Sequence, residues 1–168
     1  MFFSNVVARI IGVGASSMPA EVVEPRAGVD MGRVVVRIVV ENVEDRRRAE
    51  RGEIDGCEVR RIEVDAQVDS GATFLCMPPS LIDRLGLPFN RMRTSRSVLG
   101  DASLPIHGGA RVIVHDRECD EEVMALPEGR QVLLGQIPLE RLDFWIDLTN
   151  HRLVGNPEHD GQWMAEVL

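Results

Sequence analysis

Lysine and tyrosine are absent from this 168-residue chain: its 19 basic side chains are all arginine. That excludes a Schiff-base lysine, a phosphate-loop lysine and any lysine or tyrosine general base. Cysteine is scarce, and Cys57, Cys76 and Cys119 form no C-x-x-C pair. An odd number of widely spaced cysteines argues against a disulfide scaffold and predicts a reducing, cytoplasmic setting. The four histidines, His107, His115, His151 and His159, show neither H-x-H nor H-E-x-x-H spacing. No metal site and no cofactor is therefore expected. Gly-x-Ser-x-Gly is missing as well, and with it the usual serine-hydrolase signature.

Long apolar runs are also wanting. Met1 to Ala20 carries the pairs Phe2-Phe3, Val6-Val7 and Ile10-Ile11, but no positive charge precedes them and Arg9 interrupts them. The stretch is too short and too glycine-containing to span a bilayer, so no membrane partner is expected. Residues 1–30 read as a poorly ordered N-terminal extension, with Met31-Gly32 a natural start for the patterned region. The 27 acidic residues outweigh the arginines, for a net charge of −8. An acidic chain without a basic face predicts no nucleic-acid partner. An apolar fraction of 44 % belongs to a globular protein. One domain of this size buries roughly 70 % of its unfolded surface.

From Arg33 to Glu41 the β-branched content predicts a strand, with Val34, Val36, Ile38 and Val40 on its apolar face. The mixed charges of Asn42 to Gly56 predict a solvated loop. Ile62, Val64, Ala66 and Val68 alternate with polar residues, the period of a second strand. After Pro78-Pro79, Ser80 is placed to cap a short helix, Leu81 to Leu85, ended by Gly86. Arg91 to Val98 and Ala102 to Ile106 form two strands about the turn Leu99-Gly100-Asp101. Ala110 to Val114 and Glu118 to Leu126 form a second hairpin around His115-Asp116. Val132-Leu133-Leu134 has the composition of a strand buried on both faces. Pro138 to Leu142 reads as a helical turn, and Phe144 to Asp147 with Arg152 to Val154 complete the pattern. Many short strands with two short helices define an all-β domain.

The second strand runs straight into Asp69-Ser70-Gly71-Ala72-Thr73. A carboxylate at a strand end, followed by a hydroxyl residue and glycine, is a usable catalytic device, because glycine admits a tight turn and a close approach to the carboxylate. Ser70 and Thr73 supply hydroxyls for bonds to a neighbouring strand or within the loop. One aspartate cannot easily act as both acid and base. Two carboxylates about 3 Å apart share a proton, so that one activates water and the other protonates the leaving group.

Ala66-Gln67-Val68-Asp69-Ser70-Gly71-Ala72-Thr73 resembles the catalytic loop of the retropepsin-like aspartic proteases. About sixty residues later, Val132-Leu133-Leu134-Gly135 resembles that family's second signature, which threads behind the loop. The ending Phe144 to His159 is similar to bacterial single-domain members. The resemblance covers residues 31–159 and leaves 160–168 as a C-terminal tail. It implies an acid-protease fold with one lobe per chain: a closed or partly open β-barrel with short helices. It also implies Asp69 as the catalytic aspartate, with Ser70, Gly71, Ala72 and Thr73 supporting it. Leu134, Gly135 and Gln136 become second-signature support, and Leu99, Gly100 and Asp101 a substrate-binding flap. Gly100-Asp101 also suits an ordinary hairpin turn. Viral members carry Asp at the position of Thr73 and Arg at that of Gln136; a Thr73–Gln136 hydrogen bond is expected in place of that ion pair.

With a single Asp-Ser-Gly in the chain, a pair of aspartates requires a homodimer. The expected activity is that of an aspartic endopeptidase acting on peptide or protein substrates. The alternatives are a catalytically silent dimeric peptide-binding module with the same fold, or hydrolysis of another substrate on the same dyad. Cys76, without a basic neighbour in sequence, is expected to be a buried inert thiol. Trp145 is expected in the core or at an interface.

Overall fold

The computed structural model describes residues 22–23, 33–97 and 100–164. The rest of the expected N-terminal extension, Leu99 of the expected flap and residues 165–168 of the tail lie outside the described residues. Ten strands and three short α-helices are present among the described residues, so the mainly β architecture stands as expected.

Strands β2 (Val35–Asn42) and β3 (Arg61–Val68) pair antiparallel from Val35↔Gln67 to Glu41↔Arg61. β3 then runs parallel to β8 (Val132–Leu134), which meets β4 (Leu75–Met77). β4 runs parallel to β7 (Arg117–Ala125), and β7 pairs antiparallel with β6 (Gly100–Val114). β6 returns to β2 through Val39↔Ile113 and Val40↔Val112, closing a six-stranded barrel. Closure leaves these strands without an open edge. Gly108-Gly109 breaks the register of the long β6, and Gly109 takes φ 77°, a conformation costly for any residue with a Cβ. Before this bulge β6 pairs with β5 (Phe89–Ser97); after it, β6 pairs with β2. The β5–β6 hairpin therefore projects beyond the barrel wall.

The alternation read in the sequence fills the barrel. Val34, Val36, Ile38 and Val40 are all buried, and Ile62, Ala66 and Val68 join them from β3. Each large aliphatic side chain so placed contributes about 1.5–3 kcal/mol relative to exposure. A second, smaller sheet holds β1 (Val22–Val23), β10 (Arg152–Gly155) and β9 (Phe144–Asp147), with β10 in the centre. Trp145 on β9 is half exposed, so it is not a core residue. Among the described residues no helix is long and apolar enough to cross a membrane.

Three local expectations are corrected. The charged run after β2 is not a loop throughout: Val43–Glu50 form helix α1. Asn42 starts it, its side-chain oxygen accepting from the amides of Glu44 (2.9 Å) and Asp45 (3.1 Å). The Asn42 Nδ2 donates to Leu85 O (2.9 Å), so one buried amide also ties α1 to the end of helix α2 (Pro79–Leu85). Buried Asp45 accepts from Arg60, and those hydrogen bonds hold its carboxyl below the usual range against the opposing effect of burial. Patterning misses this helix because it is held by a cap and by ion pairs, the Asp45–Arg60 pair the most buried of them, rather than by an apolar stripe. The cap of α2 is Pro78 rather than Ser80; the Ser80 hydroxyl donates instead to Glu128 (2.7 Å). Gly86 ends α2 at φ 61°, as expected. The α-helices number three rather than two because of α1; the expected helical turn at Pro138 to Leu142 is present as α3 (Gln136–Arg141).

The C-terminal segment is locked onto the barrel. Arg117, 1 % exposed, donates to the carbonyl oxygens of Leu142 (2.9 Å), Asp143 (2.6 Å) and Gly161. Its guanidinium also lies over the Phe144 ring. Asp143 accepts from Asn156 Nδ2 (2.8 Å) and the amide of Met164 (3.2 Å), and pairs with His159 Nδ1 (2.7 Å). Burial opposes ionisation of Asp143, but these partners outweigh it and hold the carboxyl below its ordinary value. A carboxyl depressed in the folded state stabilises fully above its unfolded pKa of about 3.9, and loses that contribution as pH falls through the folded value. Amide protection factors in residues 156–164, corrected for the intrinsic pH dependence of exchange, are therefore expected to hold from neutrality down to about pH 4 and to fall below it. Equal protection at pH 7 and pH 2.5 would remove Asp143 from this role.

Candidate active site

β3 ends at Val68, and its direction delivers Asp69 to the barrel mouth, where the Asp69 amide donates to Leu134 O (3.0 Å) on β8. The chain turns at Ser70-Gly71, and the Gly71 amide donates to Asp69 Oδ1 (2.8 Å). A Cβ on Gly71 would stand 3.1 Å from that same oxygen, so a side chain there would push the carboxylate by a few tenths of an ångström from its seat. The loop closes with Ala72 N donating to Asp69 O (3.1 Å).

Behind the loop sits Gly135. A Cβ there would lie 2.3 Å from Phe74 O, 2.7 Å from Ala72 O and 2.9 Å from Phe74 N. The backbones of the two motifs therefore pass closer than any side chain permits. Gln136 N donates to Ala72 O (2.8 Å) and Ile137 N to Thr73 O (3.1 Å), stitching the start of α3 to the loop. The expected Thr73–Gln136 side-chain bond is not formed: Gln136 Nε2 donates to Glu140 (2.7 Å), one turn along its own helix, and Thr73 is exposed. The stitch is made by main chain, which needs no particular side chain at either position.

Asp69, Gly71, Ala72 and Thr73 line a groove of about 600 Å³. Its opposite wall is the β5–β6 hairpin, through Arg93, Arg96, Ala102 and Leu104. Of the other residues singled out in the sequence, Ser70 is exposed and off the groove, and Leu134, Gly135 and Gln136 lie behind the loop. Gly100 and Asp101 are exposed near the hairpin tip, where Asp101 accepts from Arg96 Nε (3.2 Å). The structure thus brings the aspartate loop, the second motif and the hairpin around one cleft, with the described tip residues outside its lining.

Several groove residues were not singled out from the sequence. Arg93 reaches over the Phe74 ring at 4.9 Å, and Arg130 comes from the turn between β7 and β8. The alternation of β5 gave a weak signal for Arg93; nothing local marks Arg130. Cys76 is a buried part of the groove lining, and burial, reinforced by the negative charge of Asp69, pushes its thiol up to about 12. That is the inert thiol expected, and no nucleophile. No group of three or more His, Cys, Asp or Glu side chains suited to a metal ion occurs among the described residues.

No family model matches the chain, and no curated protein matches it in sequence. Similar solved structures include the EIAV protease in complex with an inhibitor: 14 % identity, TM-score 0.44, covering 66 % of this chain and 88 % of that one. The protease of simian foamy virus is 24 % identical with a TM-score of 0.37, over 48 % of this chain and 84 % of that one. A retropepsin-like aspartic protease from Rickettsia conorii is 16 % identical with a TM-score of 0.47, over 80 % of this chain and 89 % of that one. The last bears the name of the family that the Ala66–Thr73 and Val132–Gly135 motifs resemble.

Proposed function

We propose that this protein is an aspartic endopeptidase of the retropepsin-like family, active as a homodimer. The observation that carries the reading is the Asp69 carboxylate, seated by the Gly71 amide on the floor of a groove that a projecting β-hairpin walls. Because the chain holds one Asp-Ser-Gly, the partner carboxylate is the Asp69 of a second copy, across a two-fold axis. The pair shares one proton. The ionised carboxylate takes a proton from water as the water oxygen adds to the scissile carbonyl carbon, and the protonated one donates to the carbonyl oxygen. Collapse of the tetrahedral adduct breaks the C–N bond and passes a proton to the leaving amine.

In this reading Ser70 and Thr73 support the loop, while Leu134, Gly135 and Gln136 back it. The hairpin around Leu99, Gly100 and Asp101 closes over an extended peptide that adds β-type hydrogen bonds. The unpaired Cys57, Cys76 and Cys119 support a reducing, cytoplasmic setting. Sedimentation equilibrium and digestion of an unfolded protein, run on the same sample, test the proposal. A micromolar dimer that cleaves is expected. A monomer that cleaves overturns the shared dyad, and a dimer that binds peptide without cleaving favours the silent binding module.

A further inference from the structure

The chain carries a net charge of −8, yet its groove is basic. Arg93, Arg96 and Arg130 line it against the single carboxylate of Asp69. Most arginines elsewhere meet a carboxylate; Arg91, next along the hairpin, is held bidentately by Glu122. Arg96 has a partial partner in Asp101 at 3.2 Å, and its side chain is 86 % exposed. Arg93 and Arg130 form no ion pair among the described residues, although Arg93 lies close enough to Glu122, already clamped by Arg91, to help hold that carboxyl below its usual range. The Arg93 guanidinium carbon lies 4.9 Å from the centroid of the Phe74 ring, a cation–π contact that uses none of the guanidinium's N–H donors. Guanidinium forks at the rim of a partly apolar cleft match carboxylate geometry, and low-dielectric walls strengthen the attraction.

We propose that the groove selects acidic peptides, with a Glu or Asp side chain close to the scissile bond seated on Arg93 and Arg130. The proposal rests on the endopeptidase reading for its chemistry, but the charge preference itself is a binding property. A nucleic acid is the less suitable polyanion, because the groove's aromatic ring, Phe74, is buried and already covered by Arg93, leaving no free stacking face.

Two measurements test this on the full chain. In the first, quenched fluorogenic peptides identical except for Glu or Gln beside the cleavage position are compared by kcat/KM. In the second, the inactive Asp69→Asn protein is titrated with the same two sequences carrying a fluorescent label. Glu is expected to exceed Gln by about tenfold in both measurements, with the preference falling at high salt. In Arg93→Gln/Arg130→Gln protein, checked for an unchanged melting profile, the Glu/Gln ratio is expected to collapse towards one. Arg96→Gln, already compensated by Asp101, should lower it less. A ratio of one in the parent, or a ratio preserved in the double variant, overturns the proposal. So does a single-stranded oligonucleotide that displaces the acidic peptide at equal concentration. Failure to cleave either peptide, with acidic binding intact, defeats the endopeptidase reading and leaves the charge preference standing.

Discussion

Asp69→Asn protein is expected to lose peptide cleavage by roughly 10²–10⁴-fold, the range carried by a positioned acid–base group, while remaining folded and dimeric. Asparagine has nearly the volume of aspartate, and its Oδ1 can still accept from the Gly71 amide that now lies 2.8 Å from the carboxylate. What it cannot do is take a proton from water or hold the proton that the proposed dyad would share. The loss should fall on kcat with little change in KM, since the groove walls are untouched. At neutral pH the dimer should be as tight as the parent's or tighter, because removal of the carboxylates removes like-charge repulsion across the axis. The parent should show a bell-shaped pH dependence, because only the singly protonated pair is competent, and its two limbs belong to the pair rather than to either residue. Parent-like cleavage by purified Asp69→Asn protein would sink the protease assignment.

Gly135→Ala should damage the same activity from behind. Its added methyl meets main-chain atoms of Ala72 and Phe74 at 2.3–2.9 Å, and backbone in a stitched loop has no rotamer by which to retreat. Overpacking of this kind costs about 1–3 kcal/mol, a fall of several degrees in Tm for a domain of this size. Because Ala72 and Phe74 follow Asp69 directly in the loop, displacement should move the carboxylate, and cleavage should fall at temperatures where the protein is still folded. Gly56→Ala is the matched control: like Gly135 it lies outside the left-handed region, and nothing lies within 4 Å of its Cβ, so it reports the loss of glycine's freedom without collision. Equal melting shifts in the two variants would mean that Gly135 matters only as a flexible residue. Differential scanning calorimetry and peptide cleavage on one preparation distinguish these outcomes.

What the chain declares about itself locally is its strands. The alternation Val34-Val36-Ile38-Val40, the polar–apolar period of Ile62 to Val68 and the apolar Val132-Leu133-Leu134 are properties of short windows, and the barrel buries most of these side chains. The turn at His115-Asp116 and the pairing of Ser97 with Gly100 are equally local, because a hairpin joins neighbours in sequence. Helix α1 was illegible for the complementary reason: Asn42 reaches Leu85 and Asp45 reaches Arg60, partners that no window around the charged run contains.

The candidate site divides along the same line. Asp69-Ser70-Gly71 is visible as a motif, and its likeness to a known loop pointed to Gly135 as well. The collision that forbids a Cβ at Gly135, and the main-chain stitch that replaces a Thr73–Gln136 bond, depend on how closely β8 passes the loop. The composition reads as acidic and without a basic face, yet tertiary folding gathers Arg93, Arg96 and Arg130 from two separate segments around one groove. Periodicity determines which face of a strand is buried, because that choice is made residue by residue along one element. Which charges share a cleft is decided by barrel closure and by the register break at Gly108-Gly109, which brings distant segments within reach of one another.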